Sequence, residues 1–251
     1  MRYGAIDVGN SRVKIQIDSG AVFSAGYSEN NTDMLRKTVE RLSADGGLNG
    51  YVWGVSSVVP WISDDVLPEI LGDSTLVSCV ELIDSQQVID ISHVQGAGHD
   101  RIMGLIGALG HCKPPFITVD CGTAITINYV DEYSVFQGGA ILPGLYTAIQ
   151  VLHHRTEQLP FLMPKITSEI SGKTTVDAME IGNYWGAIGA ITTISERMMS
   201  DAKLDEIPLV LTGGDHNLLM QGLDSKHCIS APNLILEGIR TLLLKHFKID
   251  E

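Results

Sequence analysis

The stretch YGAIDVGNSRVKIQID, residues 3–18, sets Asp7-Val8-Gly9-Asn10-Ser11 between two runs that read as β-strands. Gly, Asn and Ser are ordinary turn residues, so the plain reading is a tight hairpin. The alternative is a phosphate and metal site, in which a glycine turn aims backbone N–H groups at an anion while a carboxylate holds a cation. By itself the stretch leaves both readings open. The balance shifts 113 residues further on, where FITVDCGTAITINYV, residues 116–130, repeats the pattern as strand, Asp120-Cys121-Gly122-Thr123-Ala124, strand. One acidic hairpin tip is a turn; two at equivalent points of two units suggest a cleft between duplicated domains.

Working outward from the first hairpin, strands are expected near residues 2–8, 12–18 and 21–28, then a helix from Asn31 to about Ala44 with Met34, Leu35, Val39 and Leu42 on one face. YVWGVSSVVP reads as an apolar strand stopped by Pro60, followed by a short helical segment, the strand TLVSCVELI and a helix opening near Asp100. Paired prolines in HCKPPFITVD cannot continue a helix, which puts the boundary between halves near Lys113. The expected domains are therefore 1–113 and 114–251. After the second hairpin come SVFQGGAILPG, a helix from about Leu145, a long helix from Thr175 to Met199, and the strand PLVLTGGDHNLL breaking at Gly213-Gly214 into a helix. The final helix, PNLILEGIRTLLLKHF, is amphipathic and is expected to pack back on the first half.

Composition narrows the function. The 251 residues carry a formal charge of −13, and no Lys/Arg cluster could neutralise several phosphates together, so nucleic acid is not an expected partner. Neither a signal peptide nor an apolar run of about 18 residues is seen, so the expectation is a cytoplasmic protein without a membrane partner. Cys79, Cys112, Cys121 and Cys228 form no C-x-x-C pair, which argues against a zinc knuckle and for reduced, mostly buried thiols. His153 and His154 lack a third ligand at metal spacing and read as surface histidines; Tyr184 and Trp185 read as core or subunit-interface aromatics.

The two Asp-x-Gly hairpins, the late strand ending in Gly-Gly and the β-β-β-α repetition resemble the superfamily of acetate and sugar kinases, heat-shock chaperone ATPases and actin. Taken in order, GHDR (98–101), DCGTA (120–124), GGAILPG (138–144), Leu159-Pro160 and GKTTVDAMEIG (172–182) resemble type III pantothenate kinase, over nearly the whole chain. The implied fold is α/β, two duplicated ribonuclease H-like β-β-β-α domains facing a nucleotide cleft, the actin-like ATPase fold. Four positions depart from the family pattern. Ile91 stands where a Tyr is usual, Val94 where a Pro is, His99 replaces Ala and Thr174 replaces a common Asn, all on the acceptor side.

Phosphoryl transfer needs a phosphate cradle, charge compensation and an acceptor for the hydroxyl proton. The resemblance implies ATP with Mg²⁺ as the donor, held by Asp7, Val8, Gly9, Asn10, Ser11, Arg12, Val13 and Lys14, with Thr123 as the matching hydroxyl of the second hairpin. Asp7 would hold Mg²⁺ through water, and Asp120 a monovalent cation, K⁺ or NH₄⁺. Asp100 is the expected general base, being ionised at neutral pH; its plain alternative is a helix N-cap. Gly98, His99, Asp100 and Arg101 would form the pantothenate site, Arg101 offering a forked contact to a carboxylate, with Thr175 reaching substrate from a neighbouring subunit of a homodimer. The expected activity is ATP-dependent phosphorylation of pantothenate to 4′-phosphopantothenate, the first step of coenzyme A biosynthesis. A same-fold kinase for another small alcohol and a catalytically inactive regulatory relative are the alternatives.

Overall fold

Period-two alternation builds the first sheet. Ile6 and Val8 of β1 (Arg2–Val8), Val13 and Ile15 of β2 (Arg12–Ile17), and Trp53 and Val55 of β4 (Tyr51–Ser57) all point to one face. There they form a core with Leu35 and Val39 of helix α1 (Asp33–Ala44). β3 (Val22–Gly26) and β5 (Thr75–Ser78) complete a sheet of order β3-β2-β1-β4-β5, with β1, β4 and β5 parallel and the β1–β2–β3 meander antiparallel. The computed structural model describes residues 2–18, 20–29, 31–44 and 47–248.

The second sheet repeats the first, strand for strand. β6 (Phe116–Cys121), β7 (Ala124–Val130), β8 (Phe136–Pro143), β9 (Leu209–Thr212) and β10 (Cys228–Ser230) have the order β8-β7-β6-β9-β10, with the same parallel and antiparallel pairs. Ile117, Val119, Ile125 and Ile127 meet Tyr184, Ile188 and Ile191 in a second core.

The helices between these strands are α2 (Leu67–Leu71), α3 (Cys79–Asp84), α4 (His99–Ala108), α5 (Leu145–Arg155), α6 (Thr175–Asp201), α7 (His216–Met220) and α8 (Leu234–Phe247). TLVSCVELI, expected as one strand, breaks after Ser78. The Ser78 hydroxyl accepts the Val80 N–H at 3.2 Å and starts α3, serine being a favoured N-cap.

The chain divides into two compact units. The first gathers Met1–Asp90, Gln95–Gly110 and Asn233–Glu251; the second gathers Ile91–Val94 and His111–Pro232. In this division the break follows Gly110, residues 91–94 group with the second unit, and α8 groups with the first. Helix α8 is held there by close approach. A Cβ at Gly238 or Gly107 would overlap the backbone of the other helix of the α4–α8 pair, and a Cβ at Gly54 of β4 would stand 2.5 Å from Ile239 Cγ2.

Candidate active site

Asp7 is the penultimate residue of β1, in register with Lys14 on one side and Ser56 on the other. It is buried, 8% exposed, on the sheet face opposite Ile6 and Val8. The turn beyond it is closed by Gly9 N–H donating to Arg12 O at 3.1 Å and is braced by Tyr27, whose hydroxyl donates to Gly9 O at 2.5 Å. Asn10, Ser11 and Arg12 are exposed at the tip, with Arg12 reaching Ser24 Oγ at 3.4 Å. Val8 and Val13 turn their side chains into the core, so what they can offer at the tip is backbone. Burial raises the Tyr27 hydroxyl and the Cys79 thiol above their ordinary pKa values, and the negative charge of Asp7 adds to both shifts.

Asp120 holds the same position in the second sheet: penultimate in β6, in register with Thr126 and Thr212. Gly122 N–H donates to Ala124 O at 3.1 Å. Thr123 O accepts both Gly144 N–H at 3.0 Å and Thr147 Oγ1–H at 2.7 Å, which ties this tip to the first turn of α5. The Gly213-Gly214 turn lies against Asp120. Gly213 has φ +90°, and a Cβ there would come within 2.5 Å of Asp120 Oδ1 and of the Cys121 backbone.

Sequence reasoning passed over two residues at this turn. Asp215 N–H donates to Cys121 O at 2.9 Å, and burial raises its carboxyl above the ordinary value. Burial, with Asp120 and Asp215 adding, likewise raises the Cys121 thiol. His216, 5% exposed, brings Nδ1 to 2.6 Å from Gly213 O and Nε2 to 3.1 Å from Ser230 Oγ. A carbonyl only accepts, so Nδ1 donates to it. The signal available was a polar pair directly after Gly-Gly.

The GHDR stretch opens α4. Its N-cap is Gly98, φ −60° and ψ 143°, and not Asp100, which sits in the first turn with Oδ1 accepting Arg101 N–H at 2.8 Å. A carboxylate there is favoured by the positive end of the helix dipole. Gly98 makes room for it, since a Cβ would stand 2.5 Å from Asp100 Oδ1. His99 and Arg101 are half-buried, and burial lowers the Arg101 guanidinium pKa against the opposing pull of Asp100. Ile91 accepts Val94 N–H at 3.1 Å through its carbonyl in a short turn of the second unit. Thr175, the first residue of α6, is exposed; Thr174 before it is the N-cap, forming a reciprocal box with Asp177 at 3.1 and 3.0 Å. Thr and Asn both cap helices, which explains why Thr174 can stand in the usual Asn position.

Asp7, the β1–β2 tip and Gly98–Arg101 thus belong to the first unit, and Asp120, Thr123 and Thr175 to the second. Among the described residues no group of three or more His, Cys, Asp or Glu could hold a metal by itself. Single aspartates at strand ends suit a hard cation that keeps water and phosphate oxygens in most of its coordination sphere. His153 is engaged otherwise, with Nδ1 2.8 Å from Leu159 O and its ring packed on Phe161. Tyr184 is buried in the second core, and Trp185 is 39% exposed.

Residues 5–197 match the family model described as Type III pantothenate kinase. The chain belongs to the type III pantothenate kinase family. A member of the family from Akkermansia muciniphila is 29% identical over 242 residues, covering 96% of this chain and 97% of its own length. Another, from Acidobacterium capsulatum, is 30% identical over 244 residues, with 88% of each chain covered. Among solved structures, a Campylobacter jejuni protein described as a Baf family transcriptional activator superposes with a TM-score of 0.67 at 20% identity, covering 98% of this chain and all of its own. A Sinorhizobium meliloti protein described as a 2-dehydro-3-deoxygalactonokinase gives 0.60 at 12% identity, with 98% and 100% covered. An archaeal actin homolog gives 0.54 at 10%, again with 98% and 100% covered. These structures establish the shared fold, the duplicated α/β architecture of actin-like ATPases and sugar kinases. No helix among the described residues is long and apolar enough to cross a membrane.

Proposed function

We propose that this chain transfers the γ-phosphoryl group of ATP to the primary hydroxyl of pantothenate, giving 4′-phosphopantothenate and ADP, the first step of coenzyme A biosynthesis. The observation that carries the reading is the opening of α4, where a family motif holds a carboxylate in place by a backbone N–H and a glycine leaves room for it.

Asp100 takes the hydroxyl proton as the substrate oxygen attacks the γ-phosphorus, and the bond to the β-phosphate oxygen breaks as ADP leaves. Arg101, half-buried and so only partly hydrated, forms the forked contact to the pantothenate carboxylate. The β1–β2 tip from Asp7 to Lys14 cradles the phosphates, with Thr123 as the corresponding hydroxyl of the second unit. Asp7 would hold Mg²⁺ through water, the ion supplying compensation of phosphate charge, and Asp120 would hold a monovalent cation, K⁺ or NH₄⁺.

A homodimer in the cytoplasm completes the reading. Met163, Ile170, Phe161 and Trp185 leave an unusual amount of large apolar surface exposed on the second unit, Ile170 at 89%, and Thr175 is exposed in the same part of the chain.

The test is ADP release with and without pantothenate, with the product identified by mass and neutral amide analogues compared at matched concentration. Pantothenate should win over the amides, and Arg101→Ala should erase that preference. A preference for a sugar or another alcohol, with no pantothenate-dependent ADP release at millimolar substrate, overturns the assignment and leaves only the kinase fold.

A further inference from the structure

Ser56 lies in β4, 1% exposed, and its hydroxyl has no hydrogen-bond partner. A buried hydroxyl without a partner carries its full desolvation cost. Its position is informative. Ser56 is the register partner of Asp7 on the parallel neighbour strand, and strands in a sheet run about 4.8 Å apart with register partners on the same face. That face is the one turned away from the Ile6–Val8–Trp53 core.

The duplication supplies an independent second instance. In the other sheet Asp120 is in register with Thr212, which is also a hydroxyl residue on the parallel neighbour strand and also buried, at 4% exposure. On the antiparallel side the two units differ: Lys14 faces Asp7 where Thr126 faces Asp120. A hydroxyl residue stands beside the strand-end carboxylate in both units.

We infer that Ser56 is a binding residue of the phosphate end of the nucleotide site, its hydroxyl donating to an oxygen ligand held beside Asp7, either a water of the hydrated cation or a phosphate oxygen. The assignment rests on the reading that the β1–β2 tip binds ATP with Mg²⁺. It accounts for the missing partner, because the hydroxyl is satisfied by the ligand and not by the protein.

A ligand-facing hydroxyl and a structural one give opposite signatures. In Ser56→Ala the orphaned group is removed, so the thermal midpoint should hold or rise, while affinity for a non-hydrolysable ATP analogue with Mg²⁺, measured by calorimetry, should fall roughly tenfold or more. Ser56→Thr, which copies the residue found beside Asp120, should keep most of that affinity. The same titration without Mg²⁺ separates the two ligands: a loss confined to Mg²⁺ assigns the hydroxyl to a cation water, and a loss in both assigns it to phosphate. Affinity unchanged within twofold in Ser56→Ala overturns the inference, as does a drop in thermal midpoint large enough to account for weaker binding. Failure of the wild type to bind the analogue at all refutes the nucleotide reading itself, a different result from wild-type binding that Ser56→Ala leaves unaltered.

Discussion

Gly98→Ala isolates the placement of the Asp100 carboxylate from its chemistry. Gly98 has φ −60°, which alanine adopts without strain, so the backbone has no reason to move. The added methyl would stand 2.5 Å from Asp100 Oδ1, and ordinary contact begins near 3.4 Å, so the oxygen must retreat by 3.4 − 2.5, or about 0.9 Å. That retreat breaks or lengthens the 2.8 Å bond from Arg101 N–H. Loss of the bond costs about 0.5–1.5 kcal/mol of stability, and alanine at an N-cap costs a similar amount. A base displaced by about 1 Å loses on the order of 10²-fold in rate. Steady-state kinetics should therefore show kcat down roughly 10²-fold, with thermal unfolding shifted by only a few degrees. The effect should vanish in an Asp100→Asn background, because a misplaced base and an absent base are the same defect. A kcat within threefold of wild type, or a full additional loss in the double variant, would show that Asp100 placement does not limit the reaction.

Gly213→Ala combines a left-handed φ with a Cβ 2.5 Å from Asp120 Oδ1, so denaturant unfolding should report a loss above the about 1–3 kcal/mol expected from the backbone conformation alone. Thr174→Ala removes the α6 capping box and should cost about 1 kcal/mol in the same assay, with Thr174→Asn recovering most of it. The Asp215 carboxyl has its pKa raised by burial, so the unfolded chain gives up this proton at lower pH than the folded one. Its contribution to stability is most favourable below the unfolded pKa and declines as pH rises toward the folded value. Asp215→Asn should flatten that decline in a pH series of unfolding midpoints and raise the midpoint at neutral pH. Turnover in sodium-only buffer should be low and restored by K⁺ or NH₄⁺, and Asp120→Asn should abolish the restoration; full activity in sodium alone refutes the monovalent site.

The hairpins and their aspartates were legible because a period-two apolar pattern interrupted by Asp-x-Gly has few other solutions, and the helices expected from Leu145 and Thr175 open at those residues. Other features depend on contacts distant in sequence. An amphipathic α8 shows that it must bury one face but not which sheet receives it; Gly54, Gly107 and Gly238 decide that, and each looks unremarkable in its own segment. Ser56 sits in the apolar run VWGVSSVVP, where nothing marks it until pairing brings it beside Asp7. His216 reads as one more polar residue after Gly-Gly until its ring is seen folded back onto the Gly213 carbonyl. The break at Ser78 was different. Its cap was visible in the sequence as a serine, but the β-branched and apolar residues around it suited a strand equally well.

Duplication gave the two units the same frame and left their charges unequal, and that inequality supports the different cations proposed for the two aspartates. Asp7 and Asp120 occupy one position in two sheets, each penultimate in the first strand and each beside a buried hydroxyl. Lys14 faces Asp7 and Thr126 faces Asp120. The first tip thus carries its own positive charge on the strand, and a divalent ion there can be shared with the phosphates while Lys14 offsets what remains. The second tip has no lysine in register, and Asp215 lies close by, its N–H donating to Cys121 O. A polyphosphate brought against that tip meets two carboxylates and no protein cation in register, a repulsion that an added monovalent ion relieves. Installing the missing charge should therefore replace the ion. Thr126→Lys copies Lys14 into the second sheet, and its turnover in sodium-only buffer should rise toward the wild-type rate in K⁺, while Thr126→Gln, of similar length and neutral, should leave the requirement intact. Equal dependence on K⁺ in both variants would show that the ion acts through a specific coordination geometry and not by compensating the charge that the second tip lacks.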